Sequence, residues 1–200
     1  MISFTFEAQF LNMRHLIFLF GLITILSACH KGTNDVQPTK PGLGTTFTFI
    51  HRTFKVDGSV YTKDTVTYRV TELQSIGADS WLVIRDTASH LIWTLLQKTD
   101  GLYQYASNQS SLLCKDPTIA GDTYASAGTT TFNTISVSGQ LGIPYGVQTV
   151  NYYEGKVGAN IMDKIWYNSK VFFARRDIYA LNLLGIYYLN ERFELYSIKY

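Results

Sequence analysis

The chain has 200 residues, with 17 basic and 15 acidic side chains and a formal net charge of +2 at pH 7. This small charge, with no basic stripe along the sequence, excludes the electrostatic footprint of a nucleic-acid-binding protein. No zinc, phosphate-loop or nucleophile-elbow spacing occurs among the two cysteines, four histidines and the glycines. The composition therefore predicts neither a metal nor a cofactor.

An apolar segment near the start of the chain predicts export. The chain is apolar or small and uncharged from Leu16 to Ala28, and Arg14 precedes this run. A membrane-spanning helix needs about 20 apolar residues, whereas the central region of a signal peptide needs about 7 to 15. We therefore predict that residues 1–28 are a signal peptide. Met13 gives it a conventional start, so we expect translation to begin there.

The segment ends in Leu26-Ser27-Ala28-Cys29, which resembles the bacterial lipobox. In that family the cysteine sulfur receives a diacylglyceryl group, and the signal peptide is cut just before the cysteine. The resemblance implies that Cys29 is the lipidated mature N-terminus, tethered to a membrane by acyl chains of the palmitate class. Each buried CH₂ contributes about 0.8 kcal/mol, so two or three chains make a stable anchor. His30 replaces the aspartate that retains some lipoproteins in the inner membrane, which favours the outer membrane.

A thioether at Cys29 also leaves Cys114 without a disulfide partner, and we expect Cys114 to be a buried free thiol. After Cys29, the stretch HKGTNDVQPTKPGLGT is rich in Gly, Pro, Thr and charge. This composition predicts a lipidated cysteine and flexible tether over residues 29–44, reaching about 20 Å as a random coil. Residues 45–200 then form a single β-rich domain.

Strand patterns separated by turn residues fill that domain. Phe47 and Phe49 share one face of the first run, and a change of parity near Ile50 predicts a β-bulge. Asp57-Gly58 predicts a hairpin, after which Val66, Tyr68 and Val70 alternate with polar residues. Further turns are expected near Thr87–Ser89, Asp100-Gly101, Gly142–Pro144 and Asn190.

Strand runs that recur every 10 to 15 residues predict an all-β, mainly antiparallel fold. We expect a curled meander that forms a barrel, a half-barrel or a sandwich. Only ASNQSSLLCK and the region around Leu181 to Leu184 permit a short helix. In layout the chain is similar to a broad group of uncharacterised exported β-rich bacterial lipoproteins. The similarity rests on residues 142–147, 164–168 and 193–198, and it transfers no catalytic residue.

The sequence offers few residues for chemistry. His51 and His90 lie inside strand-like runs, with no second ligand at metal-binding spacing. In the charge cluster Arg175-Arg176-Asp177, the first and third residues share a face of a strand. Aromatic side chains with this arginine are candidate ligand contacts, although such residues more often form the core. These candidates are Trp81, Trp93, Trp166, Tyr152, Tyr153 and Arg175.

These observations predict a non-enzymatic lipoprotein of the bacterial envelope that binds a protein partner, a glycan or another envelope component. The alternative is a carrier that holds a lipid or other apolar ligand in the concavity of its sheet. A hydrolase has the least support. An open apolar cavity would favour the carrier, and converging carboxylates or a cluster centred on His51 would favour the enzyme.

Overall fold

The computed structural model describes residues 40–200, which form one sheet of twelve strands without any helix. This confirms the all-β, antiparallel fold predicted from the sequence. The strands are β1 (Thr46–Phe54), β2 (Val60–Ile76), β3 (Asp79–Asp86), β4 (Leu91–Lys98), β5 (Gly101–Ala106), β6 (Gln109–Lys115), β7 (Thr123–Ala125), β8 (Thr130–Ile143), β9 (Gly146–Val157), β10 (Asn160–Asn168), β11 (Phe172–Leu181) and β12 (Tyr187–Lys199).

The sheet is an antiparallel meander whose first and last strands pair with each other. Its order is β6-β5-β4-β3-β2-β1-β12-β11-β10-β9-β8-β7, so β6 and β7 are the two edges. The sheet curls until these edges approach, and the Tyr124 hydroxyl on β7 contacts the backbone of Leu113 and Lys115 on β6. The result is a nearly closed barrel, one of the three architectures that the sequence left open.

Inward-pointing side chains fill this barrel because alternate residues of each strand face the same side. Phe49, Trp93 and Phe193 meet edge-to-face near the centre, with ring centroids 6.1 to 6.3 Å apart. Such aromatic pairs add to the stabilisation from buried area. The predicted alternation on β2 is confirmed, since Tyr68 and Val70 are buried and Val66 packs against the core.

The two ends of the barrel differ. At the tether end, β1 begins opposite Lys199 near the end of β12, and the β10–β11 turn lies nearby. The tip of the β8–β9 hairpin folds across this end, where the Tyr145 amide donates to the Leu195 carbonyl of β12 at 3.1 Å. The opposite end, called the mouth end below, carries the β1–β2 and β11–β12 turns.

Two regions in which the sequence permitted a helix are hairpins instead. ASNQSSLLCK spans the end of β5, a tight turn and β6. Ser107 and Asn108 take φ values of 50° and 59°, which suit the two-residue turn that joins twisted strands. Leu181 ends β11, and the turn that follows is fastened by the Asn182 side chain, which accepts hydrogen bonds from the amides of Leu184 and Ile186.

The last turn therefore lies at residues 182–186, and Asn190, predicted to mark it, lies inside β12. The predicted irregularity near Ile50 is present as a register shift between Thr48 and Phe49. The residue left unpaired by this shift is Tyr196 on β12, not a residue of β1. The side chains of β1 therefore keep alternating, and His51 lies on the same face as Phe49.

Candidate functional site

The centre of the barrel is packed. Aromatic and aliphatic side chains meet there with no space large enough for a water molecule. The residues around this point are Phe47, Phe49, Ile84, Trp93, Leu95, Val171, Phe172 and Phe173. This part of the interior therefore has no room for an apolar ligand.

The seam between β6 and β7 is joined by tyrosine hydroxyls. The Tyr124 hydroxyl donates to the Leu113 carbonyl at 2.7 Å and accepts from the Lys115 amide at 3.2 Å. The Tyr153 hydroxyl, from β9, donates to the Lys115 carbonyl at 2.6 Å. Burial raises the pKa of the Tyr124 and Tyr153 phenols above the ordinary value for tyrosine, so both hydroxyls stay protonated and able to donate. These bonds satisfy backbone groups that an ordinary strand ladder would otherwise pair.

A cleft opens at the mouth end of this seam. Its volume is about 250 Å³, which corresponds to roughly eight water molecules at about 30 Å³ each. Apolar groups supply most of its exposed wall, and hydroxyl and amide side chains and one carboxylate supply the rest. The lining residues are Gln104, Ala106, Ser111, Leu113, Ser126, Ala127, Thr130, Phe132, Met162 and Asp163.

The apolar wall of the cleft depends on a glycine. Phe132 on β8 lies opposite Gly155 on β9, and a Cβ at Gly155 would come within 2.7 Å of the Phe132 ring. The ring also stacks on Tyr124, with centroids 5.9 Å apart and 13° between the planes. Phe132 can lie this close to the sheet only because residue 155 has no side chain.

The cleft carboxylate, Asp163, belongs to a largely buried ion pair. The Arg176 guanidinium donates to it through Nε at 3.1 and 3.2 Å and through Nη2 at 2.5 Å. Their side chains are only 14% and 10% exposed. Burial raises the pKa of Asp163, and the charge of Arg176 opposes that rise. Within residues 40–200 the buried Arg176 Nη1 has no hydrogen-bond partner.

A second inward pair lies nearby. His51 Nε2 is 3.1 Å from a Glu191 oxygen, and the imidazole stacks on Phe193 with centroids 4.4 Å apart. The hydrogen bond from His51 lowers the pKa of Glu191, and the charge of Arg176 adds to this effect. His51 thus has a carboxylate partner that its strand context did not reveal. The second candidate histidine, His90, pairs with Asp86 at 2.9 Å on the exposed β3–β4 turn.

Three of the predicted contact residues meet on the outer surface. Tyr152, Trp166 and Arg175 face one another across β9, β10 and β11. The Tyr152 and Trp166 rings are stacked 4.6 Å apart, and the Arg175 guanidinium lies 4.4 Å from the Trp166 ring centroid. Both faces of the indole are therefore covered, which leaves Trp166 no open face on which a sugar ring could stack.

A buried carboxylate, Asp177, fixes the position of Arg175 beside the two stacked rings. Asp177 is 1% exposed and accepts two hydrogen bonds from Arg175 and two from Arg192, at 2.7 to 2.9 Å. Burial alone would raise the pKa of Asp177, but the hydrogen bonds and charges of the two arginines bring it below its ordinary value. Asp177 therefore holds Arg175 in place, and its contact with Arg192 on β12 is an ion pair across neighbouring strands.

The remaining predicted contacts are buried. Trp93 and Tyr153 belong to the core, at 8% and 0% exposure. Trp81 is 2% exposed and packs on Tyr105, and its indole Nε1 has no hydrogen-bond partner in the described part of the chain. None of these three lines the cleft at the mouth end.

The predicted lipidation site, Cys29, lies outside the described residues. Cys114 is a free, fully buried thiol, and burial raises its pKa well above the ordinary value. Residues 40–200 contain no cluster of three or more His, Cys, Asp or Glu side chains that could hold a metal. In the same residues, no helix is long and apolar enough to cross a bilayer.

Sequence reasoning did not single out the cleft residues. Gln104, Ser111 and Thr130 are ordinary polar residues on strands, and Asp163 is one of only 15 acidic residues scattered along the chain. One signal was present, since Gly155 interrupts an otherwise aromatic and polar strand and can mark a close approach by a neighbouring group. No protein-family model matches the chain, and no curated protein or solved structure matches it either.

Proposed function

We propose that this protein is a lipid-anchored component of a bacterial envelope, and that its barrel binds a hydroxyl-rich ligand in the cleft at the mouth end. The cleft itself carries the proposal. Its wall offers hydrogen-bonding groups from Gln104, Ser111 and Thr130, beside the Asp163 carboxylate and the Phe132 ring. A few convergent polar groups around an apolar surface are typical of small-molecule sites. Its volume suits one sugar-sized group, such as the end of an envelope glycan.

The packed centre favours this proposal over carriage of a lipid inside the barrel. The aromatic residues around Trp93 fill the space that an acyl chain would need. A hydrolase is the second candidate, and the pairing of His51 with Glu191 close to Asp163 and Arg176 supports it. A carboxylate and an imidazole within hydrogen-bond reach are suited to general acid–base chemistry. Only Asp163 of these four lines the cleft, however, so binding is the better supported function.

Binding is tested with the full-length protein and a panel of mono- and disaccharides that includes N-acetylated sugars, by saturation-transfer difference NMR. The Gly155→Ala variant should push the Phe132 ring toward the cleft and weaken binding of any sugar detected by about tenfold or more. Gly142→Ala is the matched control, because a Cβ there meets no atom within 4 Å. Absence of any signal across the panel, or equal binding by both variants, would refute the cleft as a glycan site.

The anchor is tested separately. Cells fed a labelled fatty acid should label the wild type at Cys29 and leave Cys29→Ser unlabelled and released from the membrane fraction. Intact-mass measurement of the purified protein reports the same acyl groups. The hydrolase alternative predicts release of a new sugar product during the NMR experiment, which simple binding would not give.

A further inference from the structure

We infer that the tether end of the barrel docks on an anionic lipid surface, so that the mouth end faces away from the bilayer. This inference rests on the proposed lipid anchor and extends it from attachment to orientation. The docking face is formed by Lys40 and Leu43 before β1, the β8–β9 tip, the β10–β11 turn and the end of β12.

The charge of this face suits anionic headgroups. Lys40, Lys170 and Lys199 are exposed there, and the Tyr200 hydroxyl donates to the Lys170 carbonyl at 2.8 Å, which brings the β10–β11 turn beside the end of β12. Residues 40–48, 143–149, 168–171 and 195–200 contain no Asp or Glu. Lysines close to a surface of anionic lipids are attracted to it individually.

Two carboxylates of the adjacent β2–β3 hairpin are already paired with cations. Glu72 accepts from Arg85 at 3.0 Å, and Asp79 accepts from Lys98 at 2.6 Å. Neither leaves an uncompensated negative charge to repel anionic lipid. Within the four segments that form the docking face, the charged side chains are therefore all lysines.

The same face exposes amphipathic and apolar side chains. Leu43 is 63%, Tyr145 39%, Val147 70% and Tyr196 54% exposed. Tyrosine is enriched where proteins meet the headgroup region, because its ring is apolar and its hydroxyl is polar. The backbone at the hairpin tip is partly satisfied, since the Tyr145 amide bonds to Leu195, which lowers the cost of approaching lipid.

Chain length favours this end of the barrel. Lys40 is the eleventh residue after Cys29, and the tether predicted from the sequence would span about 18 Å on average over that length as a random coil. The mouth end lies farther away by the length of β1, which is 9 residues or about 30 Å at about 3.3 Å per residue. The apolar β11–β12 turn, where Leu183 and Leu184 are 105% and 83% exposed, is at this distal end.

The test places an environment-sensitive fluorophore at either end of the lipidated full-length protein in vesicles. Val147→Cys reports the tether end and Leu184→Cys the mouth end. Labelling is specific because Cys29 is acylated and Cys114 is buried. In vesicles containing phosphatidylglycerol, the probe at 147 should shift to the blue and be quenched by lipid-borne quenchers, while the probe at 184 stays water-exposed. Pure phosphatidylcholine should give a weaker shift at 147.

Lysine variants test the electrostatic part. Replacing both Lys170 and Lys199 by Gln should lower the ratio of docked to undocked protein about 25-fold, or about fivefold for each lysine. The same change at Lys55 and Lys63, both exposed at the mouth end, is the matched control and should leave the ratio unchanged.

Three results would overturn the inference. The probe at 147 could stay water-exposed while the protein floats with vesicles, which would refute docking and leave the anchor intact. The probe at 184 could enter the lipid instead, which would reverse the orientation. A protein without acyl groups by intact mass would refute the anchor and the docking that rests on it.

Discussion

Removing the charge of Asp177 should destabilise the barrel more than any surface change of the same chemistry. In the native state this carboxylate is almost fully buried and accepts four hydrogen bonds from two guanidinium groups. The Asp177→Asn variant keeps the shape but replaces one acceptor oxygen by a donor that faces the arginines. Arg175 and Arg192 would then stand side by side with half of their acceptors missing.

The size of the effect follows from burial. Removing one partner of a fully buried ion pair costs about 3 to 5 kcal/mol. The two arginines are 20% and 24% exposed, so water recovers part of that loss. We expect the free energy of unfolding to fall by about 2 to 3 kcal/mol, which lowers Tm by roughly 4 to 12 °C for a domain of this size.

The pH dependence of the free energy of unfolding tests the role of Asp177 independently. The folded-state pKa of Asp177 lies below its unfolded value, so its contribution is present in full above the unfolded pKa and is lost as the pH falls through the folded pKa. The difference between wild type and Asp177→Asn should therefore be constant near neutral pH and shrink below about pH 4.

Urea unfolding followed by tryptophan fluorescence measures both quantities. The exposed Asp64→Asn variant is the control and should stay within about 0.5 kcal/mol of wild type. If Asp177→Asn unfolds like this control at neutral pH, or if its deficit grows as the pH falls toward 3, the carboxylate does not stabilise the barrel in the way described.

Two further predictions concern the seam. Tyr124→Phe removes the hydroxyl that bridges Leu113 and Lys115 and should cost about 1 to 3 kcal/mol by leaving their backbone groups unpaired; amide hydrogen exchange at Lys115 should accelerate, and an unchanged exchange rate would contradict the bridge. Cys114, buried and with a raised pKa, should resist thiol reagents in the native protein and react at the rate of global unfolding; fast labelling without denaturant would show that the seam opens.

The strand pattern of the sequence predicted the all-β fold because each strand carries its own alternation. Val66, Tyr68 and Val70 share the inner face of β2 because apolar and polar residues alternate along that short segment. Closure of the barrel depends instead on contacts such as that between Tyr153 and Lys115, which are 38 residues apart. Nothing local to either residue encodes that contact, so the sequence left a barrel, a half-barrel and a sandwich equally open.

The candidate site shows the same limit. Tryptophan and tyrosine occur on both faces of this sheet, so Trp93 and Tyr153 in the core could not be told from Tyr152 and Trp166 on the outer surface. The pairs that define the inner polar cluster are also distant in sequence. His51 and Glu191 are 140 residues apart and meet only because β1 and β12 are neighbours.

The incomplete closure of the barrel and the presence of a cleft have one cause. A ladder between β6 and β7 would bring their backbones to about 4.8 Å and leave no space between them. Here β7 has only three residues, and the Tyr124 side chain, which is longer than that spacing, bridges to β6 in place of a ladder. The seam is thus joined by tyrosine hydroxyls toward the tether end and opens at the mouth end into the cleft, whose walls include Ser111 on β6 and Thr130 on β8. A ligand that bridges these two walls would supply the contacts that the missing strand pairing leaves unmade.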